Sequence, residues 1–142
     1  MRKLLTALLG VSILFFTACK KDDKADNKAE LLIGKSWKIT GYTEGGADML
    51  HEVYDDCELD NITTFLSNGV FKDDEGAVKC DDEDPQVVEG TWKLNGKNLI
   101  ITEDDDLLAL NLTIVELNGT TLKLSGKNPF TEETMIITFT AQ

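Results

Sequence analysis

The sequence predicts an all-β domain, an antiparallel meander of eight strands that closes into a barrel. Apolar residues recur at every second position in eight short segments, and no segment between them has a helical period. Three Asn-Gly pairs, at 68–69, 95–96 and 118–119, separate consecutive segments, and this dipeptide is typical of two-residue hairpin turns. Sequential hairpins favour a meander, and closure removes exposed sheet edges. A β-sandwich is the main alternative, but no long crossover connection is evident.

The period of two also predicts which side chains point into the barrel. The first strand places Trp37 and Ile39 inward and Tyr42 outward. The eight strands are predicted at 37–42, 61–66, 70–72, 87–94, 98–102, 108–114, 120–125 and 134–139. The predicted inward set consists of Trp37, Ile39, Val88, Trp92, Leu94, Leu108, Leu110, Leu112, Leu122, Leu124, Met135, Ile137 and Phe139.

The first 18 residues have the features of a secretory signal peptide. Arg2 and Lys3 provide the positive start, and the apolar run at 4–16 is too short for a permanent membrane span. The sequence Phe-Thr-Ala-Cys at 16–19 resembles the processing box of bacterial lipoproteins. This resemblance implies that Cys19 is acylated and begins the mature chain, which its acyl chains would hold to a membrane. An ordinary secretory peptide with a chance cysteine is the alternative.

Residues 19–30 are predicted to form a charged, flexible tether to the folded domain at 31–142. The segment Lys20–Ala29 has almost no apolar side chains, so we expect it to be disordered, and a short helical turn is expected from Glu30 to Gly34. Lys-Lys-Asp-Asp at 20–23 resembles the tag that sends some Gram-negative lipoproteins to the outer face of the outer membrane. That resemblance implies display on the cell surface; the alternative is an ordinary solvated tether.

The composition is strongly acidic. The chain has 26 Asp and Glu residues against 14 Lys and Arg, a net charge of −12, which repels nucleic acid and anionic lipid headgroups. We therefore expect no nucleic-acid partner. Apolar residues make up 42% of the sequence, an ordinary fraction for a globular domain, so the acidity is a property of the surface and not a sign of disorder.

Two cysteines remain once Cys19 is assigned to the lipid. In an oxidising compartment, Cys57 and Cys80 are expected to pair as a disulfide. The alternative is a metal site, but it lacks partner ligands because His51 is the only histidine and no Cys-x-x-Cys motif exists.

Short motifs along the chain carry a resemblance to a known family. The segment 34–39 (GKSWKI) resembles the Gly-x-Trp signature of the first lipocalin strand. Further matches are Asp56-Cys57, Phe65, Asn68-Gly69-Val70-Phe71, Cys80 and 90–94 (GTWKL). Together they resemble the lipocalin-like domain of surface and outer-membrane lipoproteins, over about 31–142. The resemblance implies an up-and-down barrel that can hold a small apolar ligand.

The predicted barrel interior leaves two function hypotheses open. An eight-stranded barrel is just wide enough to be filled by its own side chains or to hold one small ligand. In the first hypothesis a small apolar ligand binds near the mouth, where Gly41 and Gly90 leave space. The residues expected to form its wall are Trp37, Ile39, Trp92, Leu94, Leu110, Leu112 and Phe139. In the second, a filled barrel acts as a structural or protein-interaction module of an envelope complex.

The sequence contains no motif that predicts catalysis or a cofactor. Polar loops are predicted at 44–56, which could be an open lid, and at 73–85. The acidic runs at 81–84 and 103–106 carry oxygen ligands suited to Ca²⁺, but neither has the spacing of an EF-hand, so solvated loops are expected. His51-Glu52 lacks the second histidine of a zinc-protease motif, and no Gly-x-Ser-x-Gly motif is present. We therefore expect a binding protein and not an enzyme.

Overall fold

A computed structural model describes residues 23–103 and 109–142 of the chain. Helix α1 (Asp23–Leu32) precedes the strands, and the short helix α2 (Leu50–Val53) and a 3₁₀ turn (Glu58–Asp60) lie between the second and third of them. The strands are β1 (Ser36–Glu44), β2 (Ala47–Asp48), β3 (Ile62–Phe65), β4 (Val70–Asp74), β5 (Val87–Asn95), β6 (Asn98–Glu103), β7 (Leu110–Leu117), β8 (Thr121–Lys127) and β9 (Thr134–Ala141). No helix in these ranges is long and apolar enough to cross a membrane.

The strands form one antiparallel sheet that closes on itself. From β3 to β9 each strand pairs with the next along the chain, and β1 pairs with both β3 and β9. The two-residue strand β2 is an extra hairpin on the end of β1 and lies outside the ring. The ring therefore has eight strands, and the predicted eight-stranded antiparallel meander barrel is confirmed.

The connections divide the barrel into two ends. All three Asn-Gly turns lie at the end where β1 begins, together with α1, and we call this the closed end. The opposite end, here the open end, carries the connections at 45–61, 75–86 and 128–133. Two lysines hold the turns at the closed end. The Nζ of Lys28, in α1, donates to the carbonyl of Gly96 (3.4 Å), and the Nζ of Lys35, directly before β1, donates to the carbonyl of Gly119.

Large aromatic side chains fill the closed half of the barrel. Trp37 is completely buried, and its indole N–H donates to the carbonyl of Leu32 (3.1 Å). The indole N–H of Trp92 donates to the carbonyl of Leu66 (3.0 Å), and its ring meets Phe65 edge to face at 5.6 Å. Because both indole N–H groups have partners, these rings can be buried without the cost of an unpaired donor.

The inward pattern of β1 differs from the predicted alternation. The pairing with β9 shifts by one residue between Ile39 and Gly41, which is the mark of a β-bulge. The extra residue moves Tyr42 from the outward to the inward face, where it is 4% exposed. The prediction that Tyr42 points outward is therefore wrong.

The chain before the barrel also differs from its prediction. Residues 23–32 form helix α1, where a disordered segment to Ala29 was expected; Lys20 to Asp22 lie outside the described residues. The helix is held from its far end, because Leu32 is fully buried in the core and Ala29 packs against it. Gly34 has a φ of +72°, which suits the sharp exit from this segment into β1.

The predicted disulfide between Cys57 and Cys80 is present, with the two Cα atoms 5.3 Å apart. It links the connection at 45–61 to the loop between β4 and β5. Both of its anchor points belong to the open end, whereas the aromatic core lies at the closed end.

We predict that removing the disulfide lowers stability without changing the fold. Closing a loop of 23 residues contributes about 3 kcal/mol by restricting the unfolded chain, so reduction should lower the melting temperature by roughly 10 °C or more. The measurement is thermal unfolding followed by circular dichroism, with and without reductant, and with a Cys57→Ser/Cys80→Ser variant as control for the reductant. Identical melting curves would contradict a paired state.

Candidate functional site

A cavity of about 230 Å³ occupies the open half of the barrel. Most of its wall is apolar and comes from seven strands that turn alternate side chains inward. The apolar lining residues are Ile39, Phe65, Phe71, Ile101, Leu110, Leu112, Leu124, Ile137 and Phe139. Leu110 is 47% exposed because it stands where β7 begins, at the rim of the cavity.

One side of the cavity is polar, and strands β3 and β4 provide two of its residues. Thr63 lies two positions before the buried Phe65, and Asp73 lies two positions after the buried Phe71, so both point inward. The two residues are direct partners in the ladder, and the Thr63 hydroxyl donates to Oδ1 of Asp73 (2.9 Å). A carboxyl group therefore stands in the cavity wall with a positioned donor beside it.

Burial raises the pKa of Asp73 above its ordinary value. The hydrogen bonds from Thr63 and Asn61 act in the opposite direction, and the negative charges of Glu75 and Asp74 raise the pKa further. A carboxylate in this position is poorly solvated, because the apolar lining cannot replace the water that it loses. Perturbed carboxyl groups in a cleft are a common sign of a binding or active site.

A covering segment, residues 49–60, closes a gap in the barrel wall. Strands β1 and β3 pair only near the closed end, at Ser36–Thr64 and Trp37–Thr63, and above this point they diverge. Met49, Leu50 and Tyr54 of the covering segment pack against the core in the space between them. The predicted loop or open lid at 44–56 is therefore a folded part of the wall.

Tyr54 is the main contribution of the covering segment to the cavity. Its ring meets Tyr42 edge to face, with the centroids 5.8 Å apart. Burial, followed by the charges of neighbouring groups such as Glu58, raises the pKa of Tyr54 to about 12. The phenol is therefore un-ionised at neutral pH and can donate or accept a hydrogen bond. Glu58 and Asn61 complete the polar side.

The covering segment is fixed to the loop between β4 and β5. Beside the disulfide, Oδ2 of Asp60 accepts the backbone N–H groups of Ala77 (2.8 Å) and Val78 (3.1 Å). Gly76 has a φ of +71°, and a Cβ at this position would lie 2.6 Å from the carbonyl oxygen of Asp60. Only glycine fits such a close approach. The cavity wall is thus held rigidly on this side.

Glu44 organises the opposite side of the open end. Its carboxylate accepts hydrogen bonds from Tyr42 (2.8 Å), from the amide of Asn128 (2.9 Å) and from the hydroxyl of Thr131. These bonds, those from Thr131 and Asn128 first, lower the pKa of Glu44 below its ordinary value. The inward Tyr42 is therefore tied to the loop between β8 and β9.

The structure brings together four of the residues predicted to form a ligand wall: Ile39, Leu110, Leu112 and Phe139 line the cavity. The other three lie elsewhere. Trp37 belongs to the filled closed half, and Trp92 and Leu94 border a shallow open depression beside α1. Three further predictions lie outside the described residues: Cys19, Leu108, which is predicted to point inward, and most of the acidic run at 103–106.

The polar side of the cavity was not predicted from the sequence. The signal for Thr63 and Asp73 was available, since the alternation that includes Phe65 and Phe71 continues through both positions. The sequence predicts the strand after Asn68-Gly69 only as far as Lys72, because the acidic residues that follow are typical of a loop. For Tyr54 no periodic signal exists, because the covering segment is irregular and becomes part of the wall only through tertiary packing.

Metal binding finds no support in the ranges that the structure describes. No three His, Cys, Asp or Glu side chains there are arranged to hold a metal ion. The acidic residues 81–84 are exposed, as is His51 on helix α2.

We predict that Asp73→Asn stabilises the protein at neutral pH. Because the pKa of Asp73 is raised in the folded state, its protonated form favours folding; this contribution is complete below the ordinary value of about 4 and is lost as the pH rises through the folded pKa. Asparagine cannot ionise, so the variant should melt a few degrees higher at pH 7, and the difference should shrink toward pH 4.

Asp82→Asn is the matched control for this prediction, because Asp82 is exposed and the change in net charge is the same. The measurement is the melting temperature of the two variants and the wild type between pH 4 and 8. An Asp73→Asn variant no more stable than Asp82→Asn at pH 7 would contradict the prediction.

A search of curated proteins gave no match to this chain. A family model described as a lipocalin-like domain matches residues 32–124, which is well over half of the sequence. The match begins at the end of α1 and ends within β8, so it includes most of the barrel and all but two of the cavity-lining residues. The chain therefore belongs to the lipocalin-like domain family.

Proposed function

We propose that this protein is lipid-anchored in the cell envelope and binds a small apolar ligand in its lipocalin-like barrel. The observation that carries the proposal is the cavity in the open half, which stands above a closed half filled by its own side chains. Protein interiors are normally packed to the density of organic crystals, so an apolar space of this size is unusual in a barrel that only has to be stable. A ligand would bury that surface and gain about 25 cal/mol per Å².

The cavity limits the size of the ligand. At about 230 Å³ it lies below the usual range for drug-sized ligands, and an engineered apolar cavity of about 150 Å³ is enough for benzene. We therefore propose a ligand with one ring or a short chain as its apolar body. A long acyl chain would have to protrude from the mouth.

The envelope location rests on the sequence before the barrel. A positive start, an apolar run, two small residues and Cys19 follow one another in the order of a lipoprotein signal, and the disulfide suits an oxidising compartment. The segment Lys20–Asp23 supports the outer face of the outer membrane of a bacterium as the location.

A second candidate function is favoured by exposed apolar side chains at the open end. Phe130, in the loop between β8 and β9, is 94% exposed, and Val78 and Val53 are 58% and 45% exposed on neighbouring connections. Such side chains suit contact with another envelope protein. Crosslinking in intact cells, with Phe130→Ser as the comparison, would test this candidate; equal yields of crosslinked product from both chains would exclude Phe130 from the contact.

We predict that Cys19→Ala releases the protein from membranes. Without the thiol no acyl chain can be attached, and the remaining chain is too acidic to bind anionic lipid surfaces by charge. The measurement is the distribution between soluble and carbonate-washed membrane fractions of cells that express each form. Retention of the variant in the washed membranes would be incompatible with a lipid anchor at this residue.

We predict that a bulky residue at the rim blocks binding of a neutral apolar probe. Leu110→Trp should fill the mouth and weaken binding of 4-phenylbutan-1-ol at least tenfold, whereas Val115→Trp, on the outer face of the same strand, should leave it unchanged. The measurement is calorimetric titration of the mature chain without acyl groups. Equal affinities for both variants, or no binding to the wild type, would argue against a ligand in this cavity.

A further inference from the structure

We propose that the ligand is an amphipathic cation: a small apolar body that carries an amine, with the ammonium group at Asp73. The inference rests on the proposed function, because it assumes that the cavity holds a small molecule, and it names the chemical class of that molecule. It follows from the charge, the position and the surroundings of the polar side of the cavity.

The charged groups in the cavity wall are all acidic. Asp73 and Glu58 are its two carboxyl groups, and no lysine or arginine is found among the lining residues in the described ranges. The nearest lysine in the sequence, Lys72, points to the outer face and pairs with Glu89. The cavity therefore lacks an internal cation that could balance the charge of Asp73.

Asp73 has acceptor capacity to spare. A carboxylate offers about four acceptor positions; the Thr63 hydroxyl occupies one of them on Oδ1 and the Asn61 side chain takes a second, which leaves positions for further donors. An ammonium group brings up to three N–H donors, and hydrogen bonds between two charged groups are about twice as strong as neutral ones. A cation at this point would replace the solvation that Asp73 loses on burial.

The distribution of the remaining polar groups suits the same ligand. The un-ionised Tyr54 hydroxyl and the Thr63 hydroxyl can both accept an N–H from an amine. In the rest of the cavity wall, Ile137, Phe139 and Leu112 offer apolar surface for the body of the ligand. A carboxylate ligand of the same shape would be placed against two like charges, which costs several kcal/mol in a poorly solvated site.

The charge of the whole molecule favours cations at the mouth. The connections of the open end are rich in acidic residues, namely Asp48, Glu52, Asp55, Asp56, Glu58, Asp60, Glu75, Asp81, Asp82, Glu83, Asp84, Glu132 and Glu133. Against these thirteen acidic residues the same connections carry one lysine, Lys79, whose Nζ donates to the carbonyl oxygens of Asp82 (3.1 Å) and Asp84. Lys28 and Lys35 are engaged with turns at the closed end. A cleft surrounded by one sign of charge raises the local concentration of ligands of the opposite sign.

The test is a series of three probes with the same apolar body and different head groups: 4-phenylbutan-1-amine, 4-phenylbutan-1-ol and 4-phenylbutanoate. Calorimetric titration of the mature chain at pH 7.5 should give at least tenfold tighter binding for the amine than for the alcohol, and the weakest binding for the carboxylate. Asp73→Asn should bring the affinity of the amine down to that of the alcohol, so that the tenfold preference is lost.

Asp82→Asn serves as the control for net charge and should keep the preference for the amine. Equal binding of amine and alcohol to the wild type, or a preference that survives Asp73→Asn, would overturn the inference and leave the proposed function standing. If none of the three probes binds, the proposed function itself fails. Because Asp73→Asn is expected to be at least as stable as the wild type, its loss of the preference could not be attributed to unfolding.

Discussion

Strand β1 pairs with β9 along its whole length but with β3 through only two residue pairs, and the rest of the structure follows from this imbalance. At the closed end the ring of hydrogen bonds is complete, so aromatic side chains can pack there to full density. Toward the open end the ring is split, and residues 49–60 must cover the gap. The disulfide, the Asp60 hydrogen bonds and Gly76 all serve to hold this covering segment in place.

The two halves of the barrel therefore have different tasks. The closed half is filled by Trp37, Trp92 and their neighbours, which are buried in the core. The open half contains groups that a barrel selected for stability alone would replace, in particular a half-buried Asp73 with a raised pKa. Binding sites commonly retain such unfavourable groups because the ligand satisfies them. The filled closed half also limits how deeply a ligand could enter the barrel.

Much of this architecture could be predicted from the sequence, because the strong signals are local. The alternation in β5 and the three Asn-Gly turns depend only on neighbouring residues, and they predict the strand order. The disulfide follows from the two cysteines that remain once Cys19 is assigned to the lipid. The bulge after Ile39 left no such signal, so Tyr42 was assigned to the wrong face. Periodicity identifies an inward side chain but not its height along the barrel axis. Trp37 and Trp92 are therefore predicted in the ligand wall, although neither lines the cavity. Helix α1 depends on packing of Leu32 against the core, which a sequence window of polar residues does not reveal.

Helix α1 enters the molecule at the closed end, and this has a consequence for how the barrel would stand on a membrane. Only three residues separate Cys19 from Asp23, and four extended steps of the backbone span at most about 14 Å. An acylated Cys19 would therefore keep the start of α1, and not the mouth of the barrel, close to the headgroups. A ligand would then arrive from the aqueous side, without passing through the bilayer. In this arrangement the protein would take up dissolved molecules and would not extract lipids from the membrane to which it is attached.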